Sequence, residues 1–186
     1  MYLKSKDMGC DIHWYTERFT KDQNYDGPRD LKEERDNKLS LVLESDPSEA
    51  VGRWISADKW EYESYDDEDD PYEGYWSNTA FYRGKNYGLF ELLAGVRGDE
   101  NKAITSSRGV PEDCSFGYRT IVEQWHRVND CDGHSFSYFT LSELLEIDWE
   151  KYREEYYLDE FLEALNNMKA IDSNYDNVRA LFFFDN

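Results

Sequence analysis

The chain has 186 residues and a formal net charge of −20, a length that suits one domain with a sizeable core. Its 17% aromatic content argues against general disorder despite 33% charged residues. No apolar run is long enough for a membrane-spanning helix, and the charge disfavours a broad DNA-binding face, which needs many clustered Lys and Arg.

In chain order, residues 1–8 read as a frayed polar leader, with Met8 an alternative start and no myristoylation pattern after it. No apolar signal region opens the chain, so a cytoplasmic protein is expected. Residues 10–19, CDIHWYTERF, suit a strand. Alternation places Asp11, His13, Tyr15 and Glu17 on one face and Ile12, Trp14 and Thr16 on the other. Residues 20–38 read as a loop or arm, and strand-like pieces follow at 39–44 and 51–57. An acidic stretch then begins: residues 58–73 hold nine acids and one Lys. With its flank to residue 76 it reads as a solvated insertion. Asp66, Glu68 and Asp70 have calcium-loop spacing, but Pro71 and Ser77 occupy the positions that need Gly and Glu.

Residues 86–95 predict a short helix stopped by Gly95. The stretch from there to Phe116 shows no element, and a loop of that length is usually functional or mobile. A short helix is expected at 118–127 and a strand at 134–140. Thr140 and Glu143 form a capping box for the helix that follows. A longer helix is expected over 148–169, and NVRALFFF predicts a strongly apolar strand. The expected class is α+β, a single domain with a small antiparallel or mixed sheet packed against C-terminal helices.

Three histidines limit the chemistry. His126 sits in a Trp-containing helical stretch that suggests packing. His13 and His134 occupy polar, Gly-flanked strands, and two such residues facing one cleft act as general base and acid in metal-free phosphodiester cleavage. Asp11 or Glu17 would orient a ring. Arg83, Lys85, Arg97, Lys102 and Arg108 fall among five glycines between 83 and 109, a composition that lets backbone and guanidinium approach a phosphate. Tyr82, Tyr87 and Phe90 are placed to stack on a base. The expected catalytic set is His13, His134, Asp11 and Glu17. The expected substrate-binding set is Arg83, Lys85, Asn86, Tyr87, Arg97, Arg108 and Ser135.

Other chemistries fit less well. No P-loop, dinucleotide fingerprint or nucleophile elbow is present. Cys10, Cys114 and Cys131 read as reduced thiols, Cys114 lacks a recognisable His partner, and Cys131 with His134 gives only half of a zinc site. Asp11 and His13 have the spacing of the first calcineurin-like phosphoesterase motif, whose further histidines are missing. No cofactor is expected, with a divalent metal on two carboxylates kept as an alternative.

The pieces GCDIHWYTE, NYGLFELLAGVRG, SRGVPEDCS, DGHSFSYFTLSEL and VRALFFFDN, in this order, resemble an uncharacterised family of phage and prophage proteins that opens with Gly-Cys-Asp-Ile-His. The likeness covers most of the chain outside the leader, the arm and the acidic stretch. Two positions depart from the family pattern: Lys85 replaces an Arg, and Tyr138 replaces a Trp. The resemblance implies a small accessory protein made in the cytoplasm of an infected bacterium, with counter-defence as its natural role. The expected function is therefore recognition of a nucleotide-type immune signal, such as a cyclic dinucleotide, followed by histidine-driven cleavage. A non-catalytic sponge for the same ligand is the first alternative. An acidic DNA mimic or blocker of a basic host protein is the second. A second copy of the chain is a further partner left open.

Overall fold

The computed structural model describes residues 10–21, 30–33, 39–42, 52–64, 74–128 and 133–185. Its centre is a four-stranded antiparallel sheet in the order β4-β1-β8-β7, formed by β1 (Ile12–Thr20), β4 (Arg53–Ser56), β7 (His134–Thr140) and β8 (Val178–Phe184). Hairpins pair β2 (Asp30–Glu33) with β3 (Leu39–Val42), and β5 (Lys59–Ser64) with β6 (Gly74–Thr79). The helices are α1 (Tyr87–Ala94), α2 (Phe116–Val128), α3 (Leu141–Glu146) and α4 (Asp159–Met168). The α+β class and the single domain follow directly.

All seven residues of β8 are buried, because helices cover both faces of the sheet. On one face Trp14, Phe139, Ala180, Phe182 and Phe184 meet apolar residues of α1, α3 and α4. In α4 the inward set is Phe161, Ala164, Leu165 and Met168, the i, i+3, i+4, i+7 stripe of an amphipathic helix. On the other face Tyr15, Leu181 and Phe183 meet Tyr118, Ile121 and Val122 of α2, with Trp125 packed alongside. That second layer corrects the reading of β1. Tyr15 and Glu17 share the face of Asp11 and His13 as expected, but both are buried, and Glu17, offered as a catalytic residue, is 1% exposed.

The apparent long helix at 148–169 is broken. A 3-10 turn covers Trp149–Tyr152 and α4 begins only at Asp159. A continuous helix would set Glu150 over Glu154 and Glu155 over Asp159, like charges at i, i+4 that repel. The break instead brings Asp159 within 3.6 Å of Arg153, which keeps its i, i+3 pair with Glu150 at 3.1 Å. Gly88 gives the ring of Tyr156 room against α1, where a Cβ would overlap it.

The stretch between α1 and α2 is held at several points. Gly95 closes α1 in the left-handed conformation (φ 67°), which glycine adopts without strain. Ile104 N donates to Leu92 O at 2.8 Å, Gly109 N to Phe136 O at 2.8 Å and Arg108 N to Ser137 Oγ at 3.1 Å. Ser115 N donates to the buried Glu17 carboxylate at 2.7 Å. A 3-10 turn at Glu100–Lys102, capped by Asp99, is the one regular piece in a stretch expected to hold none; the rest is anchored by specific bonds in place of a repeating ladder.

β2 lies within the 20–38 arm, and β5 and β6 enter the 58–76 insertion from either side. Asp58, at the start of that insertion, is buried and accepts from Thr16 N at 2.9 Å. Residues 22–29, 34–38 and 65–73 (the DDEDDP run among them), the leader 1–8 and Cys131 lie outside the described residues. The same holds for the side chain of His126. Among the described residues no helix is long and apolar enough to cross a membrane.

Candidate functional site

One end of the central sheet gathers most of the chemistry-bearing residues. The antiparallel register pairs Ile12 with Phe184 and His13 with Phe183, so the residue before β1 and the residue after β8 become neighbours. Asp11 N donates to Asp185 Oδ1 at 2.9 Å, and Asp185 N donates to Asp11 O at 3.3 Å. The second carboxylate oxygen, Oδ2, lies 3.1 Å from His13 Nε2. An ionised carboxylate only accepts hydrogen bonds, so this contact assigns the ring proton to Nε2 and leaves the lone pair on Nδ1. His13 Nδ1 makes no hydrogen bond to any described residue. The imidazole stacks on Phe183 (centroids 4.6 Å apart) and tilts against Trp125 (4.4 Å). Its side chain remains 25% exposed, so the ring is fixed in orientation and still reachable.

Asp185 was missed in the sequence, where Asp11 and Glu17 were the orienting candidates. Asp11 turns its carboxylate to Lys85, with Nζ to Oδ1 at 2.9 Å; this hydrogen bond is the largest reason that the Lys85 ammonium titrates above its ordinary range. Glu17 serves a buried network elsewhere: Arg179 Nε donates to its Oε2 at 2.8 Å. The available signal for Asp185 was its place directly after the apolar strand. Recognising it required knowing that this strand lies beside β1.

His13 and His134 do not share a face. His134 pairs with Phe184, whereas His13 pairs with Phe183, and consecutive residues of a strand point to opposite sides. Strand β8 separates the two rings, which therefore do not form the single acid–base cleft expected from the sequence. His134 Nδ1 lies 3.0 Å from Ser135 Oγ. Ser135 has φ 54°, next to a register shift between His134 and Ser137.

The cation set divides. Lys85, Tyr87 and Arg97 come together near Asp11. Arg97 lies 6.0 Å from the Tyr87 ring and bonds the thiol of Cys10, and its φ of 65° makes it, with Ser135, one of two non-glycine residues with positive φ among those described. Such strain persists only where surrounding contacts enforce it, and it concentrates at functional positions. Cys10 is fully buried and burial raises its thiol pKa, so it is no ready nucleophile. Arg83 is exposed in the same loop.

Arg108 and Asn86 have structural duties instead of the expected ligand contacts. Arg108 lies over the Phe139 ring at 4.5 Å and donates to Glu143 Oε2 at 2.9 Å. Asn86 caps α1 by accepting from Leu89 N at 3.1 Å, and its amide nitrogen donates to Tyr157 O. No family model, curated protein or solved structure matches the chain. Among the described residues no group of three metal-ligating side chains gathers.

Proposed function

We propose that the chain is a phage counter-defence protein that binds a nucleotide-type immune signal at this end of the sheet and hydrolyses its phosphodiester with His13 as general base. The observation that carries the reading is the His13–Asp185 contact, which orients a reachable imidazole with Nδ1 as its basic atom. Lys85 and Arg97 supply the positive charge that a phosphate ester needs. His13 Nδ1 takes a proton from water, the water oxygen bonds to phosphorus, and the ester P–O bond breaks. The leaving oxygen takes its proton from solvent, while Lys85 and Arg97 stabilise the charge on the phosphoryl oxygens. The Lys85–Asp11 pair leaves two ammonium hydrogens for the ligand.

The separation of His134 from His13 favours one competing reading, a sponge that holds the same ligand without cleaving it. Incubation with a cyclic dinucleotide followed by heat release distinguishes them. Linear product from the natural chain, reduced at least about 100-fold by His13→Ala and substantially by Asp185→Asn, supports the hydrolase. Quantitative return of intact ligand supports the sponge and removes the acid–base role of His13.

A further inference from the structure

Lys85, Asn86 and Tyr87 also line a cavity of about 320 Å³ that is completed by Tyr82, Tyr157, Glu160 and Phe161. The volume falls near the lower bound for small-molecule sites and suits one mononucleotide unit. The floor is apolar and rigid: the Tyr82 and Phe161 rings meet edge to face at 5.5 Å, with Trp14 behind both. Tyr87 and Tyr157 on the walls are 43% and 70% exposed, and they are two of only three large hydrophobic residues exposed among those described. Asn86 fixes the spacing between these walls, because one side chain caps the helix that begins at Tyr87 and holds the carbonyl of Tyr157.

The polar groups select among flat ligands. Glu160 makes no hydrogen bond or ion pair with any described residue, so its two oxygens remain acceptors on the cavity wall. Lys85 brings a positive charge to the same cavity and disfavours a quaternary ammonium, the other ligand that aromatic walls accommodate. An aromatic ring with adjacent N–H donors and an attached anion satisfies both groups. Guanine carries such donors at N1 and N2, matched to one carboxylate. Adenine and cytosine place a donor beside an acceptor, and uracil places its one donor between two carbonyls.

We propose that this cavity holds the base of a guanine nucleotide, stacked on Tyr87 and Tyr157, with Glu160 accepting from its N1 and N2 hydrogens and Lys85 contacting its phosphate. The assignment rests on the nucleotide reading above and gives it a base specificity. Calorimetric titration of the full chain with GMP, AMP, CMP, UMP and choline tests it. GMP should bind at least tenfold more tightly than the other nucleotides. Glu160→Gln should reduce that preference to about twofold or less, and Tyr157→Ala should weaken GMP about tenfold. Tyr157 and Glu160 are both exposed, so unchanged circular dichroism should accompany these losses. Affinities for the four nucleotides within twofold of one another, no saturation at millimolar nucleotide, or tighter binding of choline than of GMP would overturn the assignment. Equal binding of all bases with cleavage intact would reject the guanine site while leaving the His13 chemistry standing.

Discussion

Arg179 is the residue on which the α2 side of the sheet depends most. Its guanidinium lies 2.7 Å from Glu17 Oε2, 2.8 Å from Asp113 Oδ1 and 3.9 Å from the Trp54 ring centroid, with Arg179 and Glu17 side chains 4% and 1% exposed. Arg179→Ala would strand a buried carboxylate and should cost about 3–5 kcal/mol, read as a lower urea midpoint at constant slope. The two acids on this cation respond to pH in opposite directions. Burial raises Glu17, and the opposing bonds from Arg179 and Ser115 do not cancel it. Burial also acts to raise Asp113, but the Arg179 bond and charge outweigh it and hold this carboxyl below its ordinary range. Asp113 therefore contributes stability above the unfolded carboxyl pKa near 4, and that contribution is lost as pH falls through its lower folded value. Asp113→Asn should flatten the acid limb of a stability profile taken between pH 5 and 2, roughly the range over which a salt-bridged Asp titrates. An unaltered limb would assign the acid loss to other carboxylates. Residue patterning showed that His13 and Glu17 share a face, yet it could not show that Ser115 and Arg179 enclose Glu17 while His13, against Trp125, stays partly open. Local alternation carries the direction of a side chain and says nothing of the layer above it.

At the scale of elements, the sequence was most legible where the governing interactions are local. The α1 stop at Gly95 and the Thr140–Glu143 capping box form as expected, with Glu143 N donating to Thr140 Oγ1 at 3.2 Å and Thr140 N to Glu143 Oε2 at 2.8 Å. It was least legible where distant partners decide. The break before α4 is supported by Tyr156, whose hydroxyl donates to Glu91 at 2.6 Å, and by Lys102, 2.5 Å from Glu155. No local pattern reveals those contacts. The dual role of Asn86 can be divided by substitution. Asn86→Ala should lower stability by about 1 kcal/mol or more through the lost cap, whereas Asn86→Asp keeps the cap acceptor and loses only the donor to Tyr157. Thermal unfolding should rank the natural chain above Asn86→Asp and Asn86→Ala lowest. Equal midpoints for both variants would place the whole effect on the Tyr157 bond.

For the whole molecule, a net charge of −20 opposes compaction through self-repulsion. Much of that charge is exposed, so added salt should screen it. The melting temperature should rise between about 10 and 150 mM sodium chloride, a range over which the Debye length falls from about 30 to 8 Å; a fall would show that the attractive pairs outweigh the repulsion. The position of β8 has a further consequence, for the order in which the protein can be made. Its two neighbours, β1 and β7, precede it in the chain, and the His13–Asp185 contact joins residues 172 positions apart. During synthesis β1 must wait, with its future central edge unpaired, until nearly all of the described chain has been made. Such long-range closure slows folding and prolongs exposure of sticky edges. The same delay is protective in one respect: the His13–Asp185 dyad cannot assemble before Asp185 has been made, so any activity it supports switches on only as the sheet closes.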